Sequence, residues 1–188
     1  MAPLMKRGAN VALTQEIPGL TGIVVGVRFA AGAEQMLLDN LVLATILCDA
    51  SSRALSADHF VFFNQLASPD LSVQQLEQAL GGDTEQVEID LTGVPGNVDR
   101  IVVIAYVNEA IAGRRTLGQL KDCTLRVLDL KDNAELVRSE NLAPVFGPET
   151  AVVLGEVYRA GRFWKFKIIG DGYAQGISGV AADFKIPL

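Results

Sequence analysis

The side chain best suited to acid–base chemistry is His59, the one histidine of the chain, which follows Asp58. A catalytic imidazole needs a nucleophile or a partner acid held beside it. The sequence offers no convincing third member of such a set. Ser178 does not stand in the Gly-x-Ser-x-Gly pattern of a nucleophile elbow. We therefore predict that His59 is a polar residue at a strand edge and that the protein is not an enzyme.

The two cysteines, Cys48 and Cys123, are the other candidates for reactivity, and each lies within an apolar run. A thiolate metal site or a disulfide-stapled secreted scaffold needs several cysteines at short, fixed spacing. Burial in apolar surroundings raises a thiol pKa and makes the group inert. The pattern predicts two packed core cysteines in a reducing compartment.

Trp164 and Tyr158 lie near four cations at 159, 162, 165 and 167, a composition that also suits a basic and aromatic binding surface. Trp164 alternates with lysines, however, so the segment favours a strand whose tryptophan packs in the core and whose cations face solvent. We expect the structural role for this segment.

Composition limits the classes of partner. The chain has 188 residues, of which 49% are hydrophobic, and a formal net charge of -6. That charge disfavours nucleic acid and anionic membrane surfaces, because the long-range field has the wrong sign. No run approaches the ~18 apolar residues needed to span a bilayer. We predict a cytoplasmic protein with no integral membrane segment and no nucleic-acid partner.

Short apolar runs separated by Gly, Pro, Asn and Asp predict strands and turns. The pattern predicts an all-β-dominated fold, an antiparallel two-sheet β-sandwich with a few short helices, in one domain over residues 1–188. Helices are expected over 73–80 and 178–184. Strands are expected over 23–29, 41–48, 59–64, 87–91, 101–107, 124–130, 151–159 and 163–169, with 41–48 covered on both faces.

An ordered set of short motifs, most specific in the C-terminal hairpin, resembles the TerD family. Each motif is weak alone, but their order matches the family over nearly the whole chain. They are Lys6-Arg7-Gly8-Ala9-Asn10-Val11, Phe60-Val61-Phe62-Phe63-Asn64, Gly82-Asp83-Thr84-Glu85, Val94-Pro95, Leu125-Arg126-Val127, Gly155-Glu156-Val157-Tyr158-Arg159, Trp164-Lys165-Phe166 and Gly170-Asp171-Gly172-Tyr173.

The resemblance implies a β-sandwich and a role in tellurite resistance and general stress, without an established catalytic activity. It also implies calcium binding through acidic loops. In this chain the two acidic motifs of the family are reduced. The first aligns with Asn40-Leu41-Val42, and the second aligns with residues 77–85, which are expected to be helix-like.

The metal ligands that the resemblance leaves are Asn64, Asp83 and Glu85, with Asp39 or Asn40 as a further donor. Calcium takes six to eight oxygens, and its affinity follows the charge of the ligands. A site with so few carboxylates is expected to bind calcium weakly, at roughly millimolar concentration, or not at all. The alternative is that Asp83 and Glu85 are solvated turn residues and Asn64 an ordinary strand-end amide.

Two functions stay open at this point. The first is a stress-response binding or scaffold module that works with protein partners, expected to be other Ter-type proteins, without a functional calcium site. The second is a calcium-dependent module in which the ion orders residues 77–85 and switches a partner surface. The oligomeric state is left open.

Overall fold

A computed structural model describes residues 4–187, in which twelve strands and three α-helices are defined. The domain predicted over 1–188 stays a prediction, and residues 1–3 and 188 lie outside the described part. The helices are α1 (Gln35–Asp39), α2 (Glu109–Ala112) and α3 (Ile177–Phe184). The strands are β1 (Leu4–Met5), β2 (Asn10–Ala12), β3 (Gly22–Ala30), β4 (Leu41–Cys48), β5 (Phe60–Val61), β6 (Val73–Gln75), β7 (Glu85–Asp90), β8 (Arg100–Val107), β9 (Asp122–Asp129), β10 (Glu135–Ser139), β11 (Ala151–Ala160) and β12 (Phe163–Tyr173).

The strands form two six-stranded sheets, which confirms the predicted β-sandwich. The order in one sheet, called sheet A, is β1-β10-β9-β3-β7-β6. The order in the other, called sheet B, is β2-β12-β11-β8-β4-β5. Every pairing is antiparallel except that of β1 with β10. Short strands therefore close both edges of each sheet, and β5 and β6 lie at the same end of the sandwich.

The main core lies between the sheets and follows from alternation along the strands. Ile23, Val25 and Val27 of β3 face inward and belong to the same buried cluster as Leu43 and Val103 of sheet B. Side chains on successive residues of a strand point to opposite faces. Arg28 directly follows Val27, so its side chain points to the opposite face and reaches solvent, as its position in the pattern predicts.

Strand β4 is buried along its whole length, which confirms the prediction that both of its faces are covered. Leu43 and Leu47 join the core between the sheets, whereas Ala44 and Ile46 join a second cluster on the outer face of sheet B. Helix α3 covers that face through Val180, which is fully buried. The predicted C-terminal helix thus explains why this strand has no polar face.

Two predicted elements differ from the structure. The strand expected over 59–64 is limited to β5, because Phe62 and Gln65 exchange backbone hydrogen bonds across a tight turn. The helix expected over 73–80 is wrong, and so is the helix-like character expected of 77–85. Residues 73–75 form edge strand β6 on β7 instead.

The backbone of the next segment explains this second difference. The side chain of Gln86 donates to the carbonyl of Leu80 at 3.0 Å and accepts from its N–H at 3.2 Å. Gly81 and Gly82 follow with φ of +70° and +88°, a conformation that favours glycine. The polar groups of this loop are therefore bonded to the sheet rather than to each other along a helix. Within residues 4–187, no helix is long and apolar enough to cross a membrane.

Candidate functional site

A cavity of about 360 Å³ opens at the end of the sandwich where β4 and β7 approach each other. We call it the acidic pocket. Its walls come from four parts of the chain that the fold brings together: the end of α1 with the start of β4, the turn after β5, the start of β7, and the segment around α2. The lining residues are 39–43, Phe63, Glu85, Asn108 and Ile111.

Glu85 is the innermost carboxylate of the acidic pocket. It begins β7, and its side chain points in the same direction as the buried Val87 and Ile89, toward sheet B. One carboxylate oxygen accepts the backbone N–H of Leu43 at 2.9 Å. Strand β5 pairs only with Thr45 and Ile46 of β4, so it offers no hydrogen-bond acceptor to the N–H of Leu43. The Glu85 carboxylate takes the place of that missing acceptor.

The charge of Glu85 is poorly compensated. Burial raises the pKa of its carboxyl group to about 7, while the hydrogen bond from Leu43 acts in the opposite direction. In the described part of the chain, Glu85 has no salt-bridge partner within 4 Å. A half-buried carboxylate that faces an open cavity without a cation is suited to receive one.

Asp39 and Asn40 lie at the outer wall of the acidic pocket. Asp39 ends α1, and its carboxylate accepts a hydrogen bond from the Gln35 side chain at 2.8 Å. The side-chain amide of Asn40 donates back to the Met36 carbonyl at 2.9 Å, and the backbone carbonyl of Asn40 accepts the N–H of Asn108. These bonds fix the junction between α1 and β4.

Asp83 lies elsewhere, although it is only two residues from Glu85. Thr84 docks on β3, with its N–H bonded to Val27 and its hydroxyl accepting the N–H of Phe29. The flanking side chains consequently diverge. The Asp83 carboxylate lies on the outer face of sheet A, with a side chain only 4% exposed, and pairs with Arg126 at 2.8 Å.

A close approach of the backbone makes room for this ion pair. A Cβ atom at Gly26 would collide with the Asp83 carboxylate, so the strand requires glycine there. Gln86 donates a further hydrogen bond to the same carboxylate at 2.7 Å. Asp83 is thus committed to a structural pair and does not face the acidic pocket.

Asn64, the remaining candidate, is exposed in the turn between Phe62 and Gln65 and does not line the acidic pocket. The structure therefore brings together Asp39, Asn40 and Glu85, and separates them from Asp83 and Asn64.

Within residues 4–187, no three acidic, histidine or cysteine side chains converge as metal ligands. The donors in the acidic pocket supply two carboxylates and two amides, which is less than a tight calcium site requires.

Three apolar side chains around the acidic pocket were not predicted as site residues. Phe63 and Ile111 line it and are 55% and 63% exposed, and Met36, whose sulfur lies 3.4 Å from the Asn40 amide nitrogen, is 44% exposed. The signal for Phe63 was its position as the last aromatic residue of the run 60–63. No sequence signal linked Met36 and Ile111, because they belong to helices far apart in the sequence.

The other chemical candidates have structural roles. Cys48 and Cys123 are fully buried, as predicted, and burial raises the pKa of both thiols, to about 12 for Cys48. The His59 ring bonds the Ser56 hydroxyl at 2.7 Å, and that hydroxyl also accepts the backbone N–H of Asp58 at 3.2 Å. Trp164 is buried, and the Arg159 guanidinium lies 4.2 Å from its ring centroid.

A second cavity, of about 450 Å³, lies on the outer face of sheet A. Val24 and Leu128 line it from the sheet, and Leu76 and Leu80 line it from the loop. Two of its polar residues, Gln86 and Arg126, are bonded to that loop, so their hydrogen-bonding groups are largely used within the protein. The acidic pocket, in contrast, is lined by Asp39 and Glu85, and neither carboxylate has a salt-bridge partner within 4 Å in the described part of the chain.

Comparison with known proteins agrees with this architecture. The family model described as "TerD domain" matches residues 1–184. General stress protein 16U of Bacillus subtilis (strain 168) is 35% identical, over 96% of this chain and 95% of that protein. Tellurium resistance protein TerD of Alcaligenes sp is 31% identical, over 99% of this chain and 98% of its own length.

A solved structure shows the same fold. The crystal structure of a homologue of telluride resistance protein (TerD) from Streptomyces coelicolor A3(2) superposes with a TM-score of 0.66 at 18% identity. The alignment covers 87% of this chain and 96% of that one.

Proposed function

Because the chain belongs to the TerD family, we propose that it is a non-catalytic binding module of tellurium resistance and the general stress response. The names of its relatives support the biological setting. The partners expected from the family are other Ter-type proteins of the same cell, and the expected compartment is the cytoplasm.

The observation that carries the binding role is the acidic pocket with its exposed apolar surroundings. Phe63 and Ile111 are large apolar side chains that stand in solvent beside the carboxylates of Asp39 and Glu85. Apolar residues clustered at one opening are typical of protein interaction sites. The groups that could perform chemistry, in contrast, are buried thiols and a histidine hydrogen-bonded to a helix-capping serine.

The proposal includes a calcium site that is reduced or absent. Asp83 supports this, because its charge is neutralised by Arg126. If calcium binds at the acidic pocket, Asp39, Asn40 and Glu85 are the residues that would hold it, and the ion would supply positive charge to that surface. With two carboxylates, the affinity is expected to be roughly millimolar.

A calcium-dependent module is the second candidate, and the convergence of Asp39 and Glu85 favours it. In this alternative the ion would order residues 77–85. That segment already has internal anchors: Gln86 bonds Leu80, and Arg126 donates to the carbonyl of Gly81 at 3.0 Å. The first candidate therefore requires fewer assumptions.

A pull-down from extract of the source cells, with either calcium or chelator, tests the proposal. The bait is the full chain, compared with a double variant Asp39→Asn, Glu85→Gln and with a control double variant Glu16→Gln, Glu88→Gln of the same net charge. We expect Ter-type proteins to be captured equally with calcium and with chelator, and to be reduced only with the first variant. Capture only in calcium would establish the second candidate, and no partner above a mock bait would refute a binding role.

A further inference from the structure

The acidic pocket has a charge imbalance that the protein itself does not correct. All nine of its lining residues belong to the described part of the chain, and they include two carboxylates and no basic side chain. On the outer face of sheet A, by comparison, the carboxylates of Asp83 and Glu135 both pair with Arg126. A cation that enters the acidic pocket would therefore meet unpaired negative charge.

The apolar residues at the opening indicate what kind of cation fits. A metal ion gains nothing from Met36, Phe63 and Ile111, because it is held by oxygen atoms. A cation on an apolar stem uses both features, since its charged head reaches the carboxylates while its stem and neighbours cover the apolar rim. Of the eight exposed large hydrophobic residues in residues 4–187, Phe63 and Ile111 line this cavity, and Met36 contacts the side chain of Asn40 in its wall.

Arginine matches these groups better than lysine. Its planar guanidinium bonds carboxylates through two parallel hydrogen bonds and stacks on aromatic rings, whereas the lysine ammonium is a strongly hydrated point charge. Phe63 supplies an exposed ring, and Asp39 and Glu85 supply the acceptors. The cavity volume of about 360 Å³ lies at the lower end of the roughly 300–1,000 Å³ typical of ligand sites.

We propose that the acidic pocket receives an arginine side chain of a partner protein, with the guanidinium between Asp39 and Glu85 and the apolar neighbours of that arginine on Met36, Phe63 and Ile111. This inference rests on the proposed binding function and names the recognition element of its partner. The occupant is an extended segment in which apolar residues flank the arginine.

The hydrogen bond between Glu85 and Leu43 provides the means to test the charge separately from the fold. Glutamine at position 85 keeps an oxygen that accepts the Leu43 N–H but removes the negative charge. Asparagine at position 39 likewise keeps an acceptor for Gln35. Glu16, which is exposed and lines none of the described cavities, gives a control of equal charge change through Glu16→Gln.

The experiment is a methyl NMR titration of the full chain, labelled at the methionine methyl groups, at pH 8. Met36 reports on the rim of the acidic pocket, and Met5, in β1 at the opposite edge of the sandwich, is the internal reference. The probes are the capped tripeptides Leu-Arg-Leu and Leu-Gln-Leu. They differ only in the central side chain.

We expect the arginine peptide to shift the Met36 signal saturably and to leave Met5 unchanged. The glutamine peptide should bind at least about tenfold more weakly, because a hydrogen bond to a charged group contributes ~1.5–3 kcal/mol. Glu85→Gln and Asp39→Asn should each weaken the arginine peptide by a similar factor, and Glu16→Gln should not.

Equal binding of both peptides, equal binding by Glu85→Gln and the unchanged protein, or no shift of Met36 would each refute the arginine site. These failures are separate from failure of the proposed function. If the pull-down recovers partners but the arginine peptide does not shift the Met36 methyl signal, the binding role is retained and the arginine site is refuted.

Discussion

The Glu85 carboxylate of sheet A accepts the backbone N–H of Leu43 in sheet B at 2.9 Å. This bond joins the two sheets at the end where β5 covers only two residues of β4. One side chain thus bonds an uncovered strand N–H and supplies negative charge to the acidic pocket. Its protonation state couples the stability of this edge to pH.

The first prediction concerns that coupling. Burial raises the folded-state pKa of Glu85 from 4.5 to about 7. Between these values the folded protein retains a proton that the unfolded chain has lost, so raising the pH favours unfolding. The stability that the protonated form of Glu85 gives to the folded state is fully present below pH 4.5 and declines as the pH rises to about 7. As the pH rises from 5 to 8, the free energy of unfolding of Glu85→Gln should therefore increase by on the order of 2 kcal/mol relative to that of the unchanged protein.

Urea unfolding at a series of pH values measures this difference. Glu88→Gln, on the same strand but with its side chain on the other face, is the matched control and should follow the unchanged protein. A constant difference between Glu85→Gln and the unchanged protein across this range would contradict the assignment.

The second prediction concerns the structural role of Asp83. Asp83→Ala should destabilise the fold by about 2–4 kcal/mol, because it leaves the mostly buried Arg126 without a main partner. Asp171→Ala removes a pair with Arg7 that is largely exposed, and it should cost less than about 0.5 kcal/mol. Equal losses in urea unfolding would show that Asp83 has no special structural role.

The third prediction concerns the contact between Arg159 and Trp164. The guanidinium stacks on the indole ring and donates to the carbonyls of Val94, Pro95 and Val98, so it fastens the turn before β8 to the C-terminal hairpin. Arg159→Ala should cost about 2 kcal/mol. Arg162→Ala, at an exposed neighbouring arginine, should change stability by less than about 0.5 kcal/mol in thermal unfolding.

The fourth prediction is that neither thiol reacts in the folded protein. Cys48 and Cys123 are fully buried, and a thiol reacts as its thiolate, which burial suppresses. An aromatic disulfide reagent should leave both unmodified under native conditions and label both in urea. Rapid labelling of either cysteine in the native protein would contradict this prediction.

The strands with strong alternation could be predicted from sequence, because burial between two sheets imposes a period of two residues. Residues 73–80 show the limit of such reasoning. Val73, Leu76 and Leu80 have helical spacing, but the backbone of this segment bonds to β7 and to the Gln86 side chain. A contact with a residue later in the chain decided the conformation, and local spacing does not record it.

The candidate site was predictable in part. The family motifs pointed to Asp39, Asn40 and Glu85, which do share one cavity. They could not separate Asp83 from Glu85, because the divergence of these side chains depends on Thr84 docking against β3. They also could not reveal the apolar rim, whose members belong to segments far apart in sequence.

Calorimetric titration of the full chain with calcium at pH 8, with Glu85→Gln and Asp39→Asn beside it, tests the central claim most directly. That claim is that this member of the family binds partners without a tightly held ion. We expect no saturable heat below roughly millimolar calcium, and no change in melting temperature between calcium and chelator. Saturable binding at micromolar calcium that either substitution abolishes would contradict it.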